Sequence, residues 1–159
     1  MNDSRKKAGF LGCVLGCSIW AAMLTPSFAG DSFWGKVTEV RSADNVVLDN
    51  GKARFEVRLV GVIVPREGRL AGEAKDFVSR LVLGKNARVR MESKSKDTMI
   101  GELITDDPEI GFKDVGLELV RNGMARKAPE YSDKYGDLAR AEREAREARR
   151  GVWAPAQPR

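Results

Sequence analysis

The sequence predicts an α+β protein: a small five-stranded β-barrel with one helix between its third and fourth strands and two helices after the fifth. Three observations lead there. Short segments with apolar residues at alternate positions are separated by turn signals, and three other segments carry apolar residues at helical spacing. The elements run strand, strand, strand, helix, strand, strand, helix, helix along a stretch whose length suits one domain.

The first strand covers Phe33 to Arg41 and offers Val37 and Val40 to a core. Asn45 to Leu48 forms the second and runs into Asp49-Asn50-Gly51, whose Asn-Gly pair signals a hairpin because both residues tolerate positive φ. In Arg54 to Leu59 the period is two, so Phe55, Val57 and Leu59 face one side while Arg54, Glu56 and Arg58 face the other. Gly61 marks a bend before Val62 to Pro65. Leu70, Ala74, Phe77 and Leu81 recur at helical spacing, and Gly84 stands where a C-terminal cap is expected.

Ala87, Val89 and Met91 alternate with Arg88 and Arg90 in a fourth strand; polar Ser93 to Thr98 is expected as a loop, and a fifth strand spans Met99 to Thr105. Asp106-Asp107-Pro108 turns the chain. Asp114 is placed to cap a short helix whose Leu117, Val120 and Met124 share a face, with Gly123 near its end. A last helix runs from about Asp137 to Arg150, with Leu138, Ala141, Ala145 and Ala148 as a narrow apolar stripe and Glu142 four residues before Arg146. Val152 and Trp153 are then expected to tuck into the core. Three meandering strands, a helix and two further strands match a five-stranded OB barrel with two C-terminal helices.

Composition limits the chemistry. The 159 residues include 28 Lys+Arg, 23 Asp+Glu, two Cys and no His. Ser-His-Asp and Cys-His catalysis and imidazole metal ligation are therefore excluded. What remains is carboxylates, Arg and Lys, hydroxyls, or a hard metal ion held by oxygen.

Residues 1–29 differ from the rest. Arg5, Lys6 and Lys7 precede an apolar run from Ala8 to Leu24, and Ser27-Phe28-Ala29 is a small-x-small site that suggests cleavage before Gly30. This anatomy is that of an export signal, with residues 30–159 as the mature domain in the periplasm or outside the cell and no stable membrane insertion after cleavage. Two other readings remain open: Val14-Leu15-Gly16-Cys17 resembles a bacterial lipoprotein box, and the apolar run is just long enough for an uncleaved anchor. Both cysteines, Cys13 and Cys17, lie in this leader, so the mature chain has no disulfide and no thiolate site. It keeps 25 basic and 22 acidic residues, a net of +3.

An ordered set of segments runs from Phe33 to Trp153: Gly35-Lys36-Val37-Thr38-Glu39-Val40 before Ala43-Asp44-Asn45-Val46, Val57-Arg58-Leu59-Val60-Gly61-Val62 before Pro65, and Gly72-Glu73-Ala74. Asp114 to Ala125 and Ala148-Arg149-Arg150-Gly151-Val152-Trp153 complete it. In this set the chain resembles the staphylococcal nuclease (thermonuclease) family. The resemblance implies the barrel and, for active members, a calcium-dependent phosphodiesterase. Such a site combines metal-holding carboxylates, a glutamate that helps water attack phosphorus, and two arginines that neutralise phosphate charge.

Carried over position by position, the family's D-G-D-T turn is Ser42-Ala43-Asp44-Asn45, so Asp44 matches the second metal aspartate, and Arg58 matches the arginine of the third strand. The D-x-P-E segment is Ile63-Val64-Pro65-Arg66, which leaves the other metal carboxylate replaced by Ile63 and the water-assisting glutamate by Arg66. The second arginine's place is taken by Thr98 or Ile100. One carboxylate makes a weak calcium site. Loss of a general base costs about 10²- to 10⁴-fold, and of a charge-stabilising donor about 10²- to 10³-fold more.

The sequence therefore points to a degenerate nuclease-like barrel that binds nucleic acid, DNA or RNA, with no cofactor implied and Ca2+ if the domain is active. Arg58 is the phosphate-binding candidate, Asp44 the residual metal ligand and Glu67 a replacement base if the loop shifts by one residue. Arg66, Lys85 and Arg88 are candidates for the nucleic-acid backbone. Tyr131 is a candidate to stack a base, as a matching tyrosine does in the family. Each has a plainer alternative: a tight Asp-Asn turn, a solvated strand face with a Glu-Arg pair, a solvated basic surface. An active phosphodiesterase with relocated carboxylates and a periplasmic protein-interaction domain of unspecified partner are the two other functions the sequence allows.

Overall fold

A computed structural model describes residues 32–109 and 111–155. The leader and its three readings lie outside the described residues. Seven strands and three helices follow in order: β1 (Ser32–Ser42), β2 (Asn45–Asp49), β3 (Arg54–Leu59), β4 (Val62–Ile63), α1 (Arg69–Val82), β5 (Asn86–Ser95), β6 (Thr98–Thr105), α2 (Val115–Arg121), β7 (Arg126–Lys127) and α3 (Asp137–Glu147). A 3-10 turn, Gly151–Trp153, closes the described chain. Among the described residues no helix is long and apolar enough to cross a membrane.

β1, β2, β3, β6 and β5 close into a barrel in that order. β1 is long enough to pair antiparallel with two partners: Lys36 to Ser42 with β2, and Ser32 to Lys36 with β5. Register shifts near Thr38 and Arg41 bend it between them. A parallel pairing of β3 with β6, Val57 opposite Met99 and Arg58 opposite Ile100, completes the circuit. Closure leaves no free edge among these five strands. The inward positions Val37, Val46, Leu48, Val57, Val89, Met99 and Leu103 are buried, and Ala74, Val78 and Val82 of α1 pack into the same core.

Several local expectations change. The Asn-Gly turn is a four-residue loop in which only Gly51 has positive φ. Asn50 works through its side chain, accepting from the Lys52 and Ala53 amides. Residues 93–98, expected as a loop, extend β5 and β6 into a hairpin with Lys96 at positive φ, because main-chain pairing needs no apolar side chains. The buried face of α2 is Val115, Gly116, Leu119 and Val120, with Leu117 and Met124 only partly covered. α3 ends three residues before Arg150, and Ala148 is exposed. Trp153 does not enter the core; it is half-buried between the guanidinium groups of Arg126 and Arg146, 4.8 and 4.2 Å from its ring centre. The short β4–β7 pair has no sequence signal, since two residues are too few to show a period.

Candidate nucleic-acid interface

The β1–β2 turn and the start of the loop after β4 meet at one edge of the barrel. Asp44, in the turn, is 5% exposed although charged. Its Oδ1 accepts from the Ser42 hydroxyl at 2.6 Å, and its Oδ2 lies 3.1 Å from Arg66 Nη2. Its carbonyl accepts from the Leu59 amide at 2.9 Å, which ties the turn to the end of β3. Asn45, the next residue, stands directly opposite Arg58 in the β2–β3 register.

Arg58 is exposed, and its freedom has a traceable cause. The expected Glu-Arg pairing on this strand face goes elsewhere: Glu56 accepts from Arg41 at 3.0 Å and from Asn45 Nδ2 at 2.6 Å, and Arg54 pairs with Asp49. The Arg58 side chain makes no hydrogen bond or ion pair among the described residues. Of the two arginines at this edge, Arg66 contacts the Asp44 carboxylate, and Arg58 stands exposed opposite Asn45 on the neighbouring strand.

The neighbouring positions are apolar. Ile63, opposite Arg126 in the β4–β7 pair, is 50% exposed, and Ile100, opposite Arg58 in the barrel, is 36% exposed. Glu67 is exposed and makes no hydrogen bond or ion pair among the described residues, so the side chain this loop sends to Asp44 is that of Arg66.

The other sequence candidates lie elsewhere. Lys85 sits against the middle of β1, where its carbonyl accepts from Val37 N, and its ammonium pairs with Asp107 at 3.0 Å. Arg88 faces Trp34 across the β5–β1 pairing and covers its ring at 5.4 Å. Tyr131 packs its ring on Gly61, whose φ of 75° brings the backbone so close that a Cβ there would meet the ring at 2.5 Å. The Tyr131 hydroxyl donates to Glu102 Oε1 at 3.1 Å. Burial, then the negative charges of Glu102 and Glu92, push its pKa well above the usual phenol range.

Sequence reasoning missed the Ser42 and Arg66 contacts to Asp44. A serine two residues before an aspartate in a turn is a usable signal for the first. The second depends on how far the β4 loop folds back.

A closed five-stranded barrel with a parallel β3–β6 seam and helices packed against it defines an OB-type domain. The family model for the staphylococcal nuclease homologue matches residues 56–155, and the chain belongs to that family. Among curated proteins, it is similar to the "Probable endonuclease LCL3" of Leptosphaeria maculans, 27% identical over 113 residues. That match covers 64% of this chain and 38% of the relative, so the chain spans well under half of the relative's length.

Proposed function

We propose that this chain is an exported member of the family that binds single-stranded DNA or RNA through its barrel edge and does not hydrolyse it. The observation that carries this reading is the contact between Arg66 and Asp44. A guanidinium occupies the position beside the aspartate at which the family resemblance would require a divalent cation. Arg58, exposed on the strand next to the turn and opposite Asn45, adds a cation to this edge that is free to meet a phosphodiester without any metal.

Calcium does not fit the donor set. The ion takes six to eight oxygens. Here Asp44 has one oxygen on Ser42 and the other on Arg66, and Ile63 supplies no oxygen from its side chain. Arg66, already protonated, accepts no proton from an attacking water. Arg58 would hold a phosphate oxygen by charge-assisted hydrogen bonds, while the exposed isoleucines beside it would lie against sugar or base.

Fluorescence anisotropy with labelled single-stranded oligonucleotides at low salt tests the reading, together with a cleavage assay in calcium and in EDTA. Saturable binding that weakens with salt, without cleavage, is expected. Absence of binding at low salt overturns it. Calcium-dependent cleavage that stops in EDTA and in Asp44→Ala establishes instead the active phosphodiesterase, with Glu67 as the first base to replace.

A further inference from the structure

A cavity of about 610 Å³ opens beside Tyr131, between β6 and the segment that leads into α3. None of Asp44, Arg58 and Arg66 lines it. Its charge is opposite to theirs. Glu92, Glu102, Asp114, Asp133 and Asp137 contribute five carboxylates to the wall, against the two cations of Arg90 and Lys134.

Two cations do not balance five carboxylates. Arg90 is paired with Glu102 and its charge also reaches Asp114, and the Lys134 ammonium lies 5.4 Å from the ring centre of Tyr135. Asp137 is paired with Arg140. Glu92, Asp114 and Asp133 have no ion pair among the described residues. Asp114 accepts from Leu117 N at 3.0 Å, with the Gly116 amide also turned to it, and Asp133 accepts from Ala139 N at 2.8 Å; a carboxylate has about four lone-pair sites, so each keeps room for a further donor. The remaining wall is apolar and aromatic, with Leu117, Leu138, Tyr131 and Tyr135.

We propose that this cavity binds an organic cation, an ammonium or guanidinium head on a short apolar stem, with the head among Glu92, Asp114 and Asp133 and the stem against Leu117 and Leu138. The volume suits a small molecule or a single long side chain. The tyrosine rings add faces that attract a cation. Burial first, and then the neighbouring acids, make Asp114 and Tyr131 reluctant to ionise, and an entering positive charge relieves the second of these. A phosphodiester would worsen that excess, and a bare divalent ion finds no cluster of three acidic groups with ligand spacing among the described residues. The inference does not depend on the nucleic-acid reading, which concerns a different group of residues.

Isothermal titration of the full chain with n-butylguanidinium at low salt is the test, with neutral N-butylurea as the shape control. Saturable binding about tenfold or more tighter than that of butylurea is expected, as for one charge-assisted contact, and it weakens as salt rises. Asp133→Asn and Asp114→Asn keep the main-chain acceptors and should each weaken it by about tenfold. A blocked Gly-Arg-Gly peptide in a parallel titration separates the sources: binding of both ligands indicates a site open to free cations, and binding of the peptide alone assigns it to a polypeptide's side chain. No saturable binding of either ligand, equal binding of butylurea, or unchanged affinity in both variants overturns the proposal.

Discussion

Both carboxylate oxygens of Asp44 are already engaged, one by the Ser42 hydroxyl and one by Arg66, whose own side chain is 73% exposed. Solvent screens a pair with one exposed partner, so Arg66→Ala should cost about 1 kcal/mol in urea unfolding, below the 3–5 of a fully buried pair. An unchanged midpoint would mean the contact contributes nothing to the fold. A double variant tests the cation directly. Ile63→Asp with Arg66→Glu supplies two carboxylates and removes the guanidinium, and calcium at about 100 times its Kd should then stabilise by ~2.7 kcal/mol, several degrees of melting temperature. The parent chain should not shift, and an equal rise in the parent would show that Arg66 does not keep the ion out.

Asp114 offers a second comparison at this scale. Burial raises its pKa, and the Leu117 amide it caps opposes that rise only in part. A carboxyl whose folded pKa is raised holds its proton more tightly in the folded chain. Stability is therefore given up as pH climbs from the ordinary carboxyl range through the raised value, and regained on acidification. Asp114→Asn keeps the capping oxygen without the charge and should be as stable as the parent or more so at pH 7, whereas Asp114→Ala should lose about 1 kcal/mol. Urea midpoints between pH 4 and 8 decide it; an asparagine variant as weak as the alanine one would show that the charge itself holds the cap.

At the scale of elements, the helical end is locked to the chain's last turn through two glycine backbones. Gly123, after α2, and Gly151 both have positive φ, and the Val152 amide donates to the Gly123 carbonyl at 2.8 Å. A Cβ on Gly123 would lie 2.3 Å from the Arg150 carbonyl oxygen, and neither backbone has a flexible end that can move aside. Gly123→Ala should destabilise by about 3 kcal/mol, φ strain and overpacking together. Gly51→Ala shares the positive φ but has nothing within 4 Å, so it should cost only about 1 kcal/mol. Thermal unfolding of the two variants separates steric from conformational cost; equal losses would dissolve the interlock.

The elements also differ in how well they could be read. β3 was legible residue by residue, since alternation between a wet and a dry face is a local property of six residues. The Asp114 cap was legible for the same reason. The 93–98 hairpin was not, because it lies beyond the core and its exposed side chains carry no period. In α2 the sequence favoured Leu117 where the structure buries Leu119; a helix with apolar residues at both positions is oriented by what it packs against.

At the scale of the whole molecule, two regions of opposite charge stand apart. The Asp44–Arg58–Arg66 edge is positive, and the cavity near Tyr131 is negative, although the chain as a whole is mildly basic. Nucleic-acid affinity should therefore fall with salt along a shallow slope set by a few contacts. Arg58→Ala should reduce the slope of log K against log salt by about 0.7 for a single strand. Anisotropy titrations at three salt concentrations measure it, and an unchanged slope would remove Arg58 from the interface.

Sequence by itself determined the barrel's strands, the helix between them, the family, and the identity of the residues standing at each inherited position, because periodicity, turn chemistry and ordered motifs are properties of neighbouring residues. Only the tertiary structure decided which of those residues meet. Glu56 turned to Arg41 and left Arg58 free; Arg66 folded back onto Asp44; Lys85 and Arg88 were carried to the half of β1 that pairs with β5, away from Asp44; and acids from β5, β6, the α2 cap and α3 were gathered around one cavity. Those outcomes follow from the parallel closure of β3 on β6 and the return of the last helix, pairings between segments distant in sequence that no local pattern encodes.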